Sequence, residues 1–118
     1  MLIDNLLNRF EADPELKAKE WDNFVLFLGE IYDNFKKNVD WFQNTQFSAV
    51  RENTFRWRGR TLTYCLPSGM DDYPRAPFLT DNEAHLDLQT WAIVSSRALS
   101  RTAAVLGKTD DEAHYAGL

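Results

Sequence analysis

Between Trp21 and Phe42 an apolar side chain recurs at every third or fourth position: Trp21, Phe24, Leu28, Ile31, Phe35, Val39 and Phe42, with Glu, Asp, Lys and Asn in the intervals. That spacing matches the turn of an α-helix and predicts one long helix over about 14–42 with a single apolar stripe. Asp13-Pro14 marks its start, because Asp accepts from the free N–H groups of a first turn and Pro tolerates the first helical position. Val25, Leu26 and Phe27 widen the apolar surface beyond half the girth, so the helix needs cover on two sides. An open fragment is therefore expected to expose this stripe and to self-associate.

A second apolar series, Leu88, Trp91, Val94, Ala98, Leu99 and Val105, predicts a helix over about 83–106 that ends at Gly107, a residue suited to a left-handed cap. Thr109-Asp110-Asp111-Glu112 then carries a capping-box signature and predicts a third helix from about 110, cut off by the end of the chain. Between the first two helices, over about 43–80, the periodicity stops and Arg, Gly, Pro, Asp and Tyr accumulate. Thr61 to Leu66 suits a short strand within an otherwise irregular stretch. Such a long irregular stretch is usually functional or disordered, and its aromatics and arginines argue against disorder. The expected fold class is mainly α, built from helical hairpins with one long irregular loop, and no internal repeat is visible.

A chain of 118 residues supports one fold unit, and its 44% hydrophobic and 14% aromatic content is too apolar for a disordered segment. The net charge of −5 is scattered, and no basic stripe exists to follow a phosphate backbone, so nucleic acid is not an expected partner. Cys65 is the single cysteine; it has no internal disulfide partner and no metal-ligand spacing around it, and reads as a small buried hydrophobe. Met1 to Phe10 has an apolar run, but Asp4, Arg9 and Glu11 interrupt it and no basic leader or cleavage site accompanies it, so no signal peptide is expected. No stretch reaches the roughly 20 apolar residues that span a bilayer.

The chemistry-bearing residues concentrate in and after the irregular stretch. Asp71 and Asp72 stand between Gly69 and Tyr73-Pro74, where two carboxylates on a rigid loop can point different ways, one protonated and one ionised beside a cation such as Arg75. The same string is also an ordinary turn or N-cap composition. Glu83 and Asp87, four apart at a helix start, are expected on one face, as a dipole-compensating pair or as acceptors for sugar hydroxyls. His85 is expected off that face, at the surface or in packing. Arg56, Arg58 and Arg60 alternate as on a strand that presents all three on one side and supports the Asp71-Asp72 loop. Trp57 and Tyr73 suit either sugar stacking or buried packing.

Three strings in register, Phe55-Arg56-Trp57-Arg58-Gly59-Arg60, Ser68-Gly69-Met70-Asp71-Asp72-Tyr73-Pro74-Arg75-Ala76 and Glu83-Ala84-His85-Leu86-Asp87-Leu88 with Trp91, closely resemble the catalytic region of the eukaryotic processing α-glucosidases of glycoside hydrolase family 63. The resemblance is strongest from about Phe55 to Trp91. It implies a partial (α/α)6 toroid, with residues 1–118 a fragment of one catalytic domain whose remainder is its partner. It implies as substrate the triglucosylated N-glycan oligosaccharide, from which these enzymes remove the terminal α-1,2-linked glucose with inversion. The implied location is the endoplasmic reticulum lumen, with any membrane anchor outside this chain. No metal or organic cofactor is implied.

By position, Asp71 matches the family's general acid, and Glu83 and Asp87 match carboxylates that the family needs. Asp72, Trp57, Tyr73 and Arg75 are substrate-binding or acid-supporting candidates. An inverting glycosidase needs two carboxyl groups roughly 6.5 to 9.5 Å apart. The family's general base lies in a part that resembles nothing here, so the chain alone is expected to be inactive. Rival readings are a helical interaction module, a carbohydrate-binding remnant without catalysis, and a relative acting on another α-glucoside.

Overall fold

A computed structural model describes residues 1–58 and 83–118. The segment Thr61 to Leu66, Cys65, Arg60, Asp71, Asp72, Tyr73 and Arg75 lie outside the described residues. The described residues form four helices, α1 (Leu2–Ala12), α2 (Pro14–Thr45), α3 (Leu86–Val105) and α4 (Thr109–Ala116), and the fold is mainly α. The chain divides into two compact units, one of Met1–Val39 with Val94–Leu118 and one of Asp40–Ile93.

In the first unit the opening segment, read from sequence only as an interrupted apolar run, is a helix. Ile3, Leu7 and Phe10 fall at helical steps and are all buried. They pack on Phe24 and Leu28 of α2, with Leu16 and Trp21 beside them. Phe10 meets Trp21 edge-on at 5.4 Å between ring centroids and Phe24 at 4.9 Å. Asp13 alone joins the two helices: it takes an extended conformation that ends α1, and its Oδ1 accepts from the Leu16 N–H at 3.0 Å, capping α2. Arg101 on α3 secures α1, donating to Asp4 Oδ1 at 2.8 Å and to Glu11 Oε1 at 3.0 Å.

Cover from α1 over Phe24 and Leu28, and from α3 and α4 over Val39, corrects the expectation of a wet stripe. What stays exposed on α2 is Leu26 and Phe27 from the widening cluster, together with Trp41. Tyr32, which the periodic series omits, is buried with Val39, Leu99, Ala103 and Tyr115 in a second cluster of the same unit.

The end of α3 matches the sequence expectation. Gly107 has φ +69°, Lys108 N–H reaches Ala103 O at 2.9 Å and Gly107 N–H reaches Ala104 O at 3.1 Å, the paired bonds of a Schellman turn. That turn also removes the capping box expected at Thr109. Lys108 closes α3 and at once begins α4, so Thr109 is already helical and no side-chain cap forms; the Lys108 carbonyl takes the first helical bond from Glu112. The fourth helix ends at Ala116, with Gly117 as its C-cap.

The first helical turn of α4 is tied to α2 through Asp111. Its Oδ2 accepts from the Tyr32 hydroxyl and its Oδ1 from Lys36 Nζ, each at 2.5 Å. The Lys36 hydrogen bond first, then that from Tyr32, holds the Asp111 carboxyl below the ordinary carboxylate value. A pKa lowered by folding contributes stability that is present above the ordinary value and lost as pH falls through the lowered one. Asp111→Asn is therefore expected to destabilise the chain by about 1 kcal/mol at neutral pH, the group being partly solvent-screened. In urea unfolding at pH 7 and at pH 3, the difference between wild type and variant should shrink at the acid end.

Candidate functional site

The second unit begins where α2 runs past its expected end. Asn44 Nδ2 donates to Asp40 O at 2.8 Å, Thr45 Oγ1 to Trp41 O at 2.6 Å, and Gln46 N–H to Phe42 O at 2.9 Å, which carries the helix to Thr45. The chain then turns back on itself. Phe47 and Phe55 form an isolated antiparallel bridge, flanked by Ser48 N–H to Thr54 O and Arg56 N–H to Gln46 O, each at 2.8 Å. Within the reversal Asn53 has φ 55°, a left-handed conformation that Asn tolerates better than most residues.

After the bridge, four successive backbone donors find acceptors, three of them on side chains. Phe55 N–H goes to Gln89 Oε1 at 3.2 Å, Arg56 N–H to the Gln46 carbonyl, Trp57 N–H to His85 Nδ1 at 3.0 Å and Arg58 N–H to Gln46 Oε1 at 2.9 Å. Opposite them, His85 N–H donates to Phe55 O at 2.8 Å, and Ser48 Oγ donates to the Glu83 carbonyl at 2.6 Å. Arg58 and Glu83 are thus both anchored to the 46–48 segment. Sequence reasoning passed over Gln46, Ser48 and Gln89, because nothing in their spacing marks a side chain that replaces a strand partner.

This pairing moves the start of α3. Glu83, Ala84 and His85 are drawn toward Phe55–Trp57, and the first helical bond is Gln89 N–H to His85 O at 2.9 Å. Glu83 therefore does not share a helix face with Asp87, which corrects the expectation of a four-residue helical pair. His85, expected at the surface or in packing, accepts from the chain at Trp57. With Nδ1 engaged as an acceptor, the neutral ring carries its proton on Nε2. Nε2 lies 3.9 Å from Glu83 Oε1, and the two side chains are only 10% and 21% exposed.

Trp57 is buried, and its indole N–H donates to Asp87 Oδ2 at 2.8 Å. Its ring lies edge-on to Phe42 at 6.1 Å, and among the described residues Phe55, Trp57 and Leu88 form one buried cluster. Of the two fates considered for this residue, packing is the one the structure displays. The expected one-sided ladder of arginines does not form over the described residues. Only Phe55 is bridged, so the chain there is not a continuing strand; Arg56 is buried while Arg58 is exposed. Arg58 donates through Nε to the Thr45 carbonyl and stacks its guanidinium over the Phe47 ring at 5.1 Å. The described set thus gathers two carboxylates, an imidazole and an indole, groups that can accept from, donate to and orient hydroxyl-rich ligands. Among the described residues no group of three or more His, Cys, Asp or Glu is placed to hold a metal ion.

The whole chain, residues 1–118, matches the model of the glycosyl hydrolase family 63 C-terminal domain. The chain belongs to glycosyl hydrolase family 63. Within that family it is 34% identical to the mannosyl-oligosaccharide glucosidase of Saccharomyces cerevisiae, over 94% of this chain and 14% of that protein. It is 38% identical to the probable mannosyl-oligosaccharide glucosidase of Schizosaccharomyces pombe, over 97% of this chain and 15% of that protein. A mannosyl-oligosaccharide glucosidase of Arabidopsis thaliana is 31% identical over 93% of this chain. The chain thus spans about one seventh of the length of these family 63 relatives.

Replacing Trp57 with Phe keeps a ring against Phe42 and removes the donor to Asp87. A lost hydrogen bond to a half-buried carboxylate costs about 1 to 2 kcal/mol. Trp57→Phe is therefore expected to lower the urea midpoint, and Asp87→Asn, which retains an acceptor oxygen, should lower it less.

Proposed function

We propose that this chain supplies the acid-side segment of the active site of an exo-α-glucosidase of N-glycan processing, within an (α/α)6 domain completed by other parts of a longer protein. The supporting observation is that His85 and Asp87 are both hydrogen-bonded to Trp57, with the Glu83 carboxylate 3.9 Å from His85, so that the two ends of the stretch that carries Asp71 are held together. Membership of family 63 and the mannosyl-oligosaccharide glucosidase relatives support the substrate class.

In this reading the substrate is the triglucosylated N-glycan precursor in the endoplasmic reticulum lumen, and the bond cleaved is its terminal α-1,2-glucosidic bond. Asp71, protonated, gives its proton to the departing glycosidic oxygen as the bond from that oxygen to the anomeric carbon breaks. Water attacks the opposite face and loses its proton to a carboxylate from another segment of the parent, so the configuration inverts. Glu83 and Asp87 accept hydrogen bonds from sugar hydroxyls. Asp72, Tyr73 and Arg75 support the acid and line its approach, with Arg56, Arg58 and Arg60 bracing the same stretch. Any membrane attachment belongs to the parent.

In the complete glucosidase, Asp71→Asn is expected to lower glucose release from the triglucosylated oligosaccharide by about 100- to 10,000-fold, the usual contribution of a general acid. Asp72→Asn should cost less. The 118-residue chain alone should release no glucose. Release by this chain that disappears in Asp71→Asn would overturn the assignment of the general base to another segment.

A further inference from the structure

We propose that His85 is a positioning residue for the Glu83 carboxylate, delivering the backbone geometry of Phe55–Trp57 to it through a fixed imidazole. The inference rests on the reading of Glu83 as a substrate-holding group. His85 is pinned twice to one short piece of chain, by its own N–H to Phe55 O at 2.8 Å and by its Nδ1 accepting from Trp57 N–H at 3.0 Å. Turning the ring over would give up the second bond and present a carbon where the acceptor now stands. The ring is therefore held in one orientation and in one neutral tautomer, with Nε2–H as its remaining donor.

That donor faces Glu83. The 3.9 Å between Nε2 and Oε1 is longer than a hydrogen bond but within the range of a charge–dipole attraction, and both side chains are largely removed from water, where such attraction is less screened. Glu83 has a second attachment, through its carbonyl, to Ser48 Oγ. With its backbone fixed by Ser48 and its carboxylate facing a fixed donor, Glu83 has little freedom left, and a group that must receive a sugar hydroxyl gains from orientation set in advance. A neutral donor suits this task, because it orients the carboxylate without adding a cation beside it.

The test is a double-mutant cycle in the complete glucosidase, read as kcat/KM on the triglucosylated oligosaccharide. His85→Asn places an amide oxygen where Nδ1 now accepts from Trp57 but is too short to reach Glu83, whereas His85→Gln restores reach toward Glu83. Expected is about a tenfold loss for His85→Asn, carried mainly by KM, substantial recovery in His85→Gln, and no further loss when His85→Asn is added to Glu83→Gln. A loss in His85→Asn that is the same with Glu83 present or replaced overturns the inference and leaves the reading of Glu83 intact. Unchanged kcat/KM in Glu83→Gln alone overturns that reading, and the inference with it. Independently of the kinetics, the ring nitrogen-15 resonances of His85, told apart from those of His114 by their absence in His85→Asn, should show the neutral Nε2–H form at pH 7. The Nδ1–H tautomer or an imidazolium at His85 would overturn the proposal.

Discussion

Backbone donors withdrawn from water need acceptors, and from Phe55 to Arg58 that requirement is met mostly by side chains. From Phe55 to Arg58 every N–H has an acceptor, yet only the one at Arg56 is a carbonyl of a paired segment. Gln46, His85 and Gln89 stand in for a neighbouring strand. Among the described residues of the second unit, four features go with this substitution: the helix past the expected 42 that brings Gln46 into place, the late start of α3, the location of Glu83 outside that helix, and the contact between Trp57 and Asp87. In a regular sheet the ladder is indifferent to residue identity. Here it depends on three particular side chains.

The first unit is governed by a different rule. Its helices are held mainly by apolar burial, with Phe10, Phe24 and Leu28 at the centre of one cluster and Tyr32, Leu99, Ala103 and Tyr115 in the other. Charges act at the margins: Arg101 joins two carboxylates of α1, and Asp111 joins Tyr32 and Lys36 of α2. These polar ties fix which helix faces which, while burial supplies the larger share of the stabilisation.

This division explains what could be read from sequence. The stripe from Trp21 to Val39, the Asp13-Pro14 start and the Gly107 stop were legible, because periodicity and cap chemistry are local and strong. The opening helix was obscured by Asp4, Arg9 and Glu11, which interrupt the run; two of them are the partners of Arg101, far away in sequence. The capping box at Thr109 failed because a turn that closes one helix and opens the next has no residue to spare for a separate cap. In the second unit the motif residues were legible as a resemblance, but their geometry was not. Glu83 and Asp87 were placed on one helix face by spacing alone, and only the pull of Phe55 and Ser48 on the chain at 83–85 shows why that spacing is not helical.

The burial of Trp57 has an optical consequence. The chain has four tryptophans; Trp41 and Trp91 are exposed, Trp21 is half-buried, and Trp57 is the one that is buried with its indole N–H committed to a carboxylate. An indole shielded from water emits at shorter wavelength than one that water can relax around, and an adjacent carboxylate perturbs its excited state. The emission spectrum therefore contains a native label at the joint between Phe55–Arg58 and the start of α3, distinguishable in colour from the two surface indoles. Formation or loss of that joint can be followed by light, with no dye attached and no residue added.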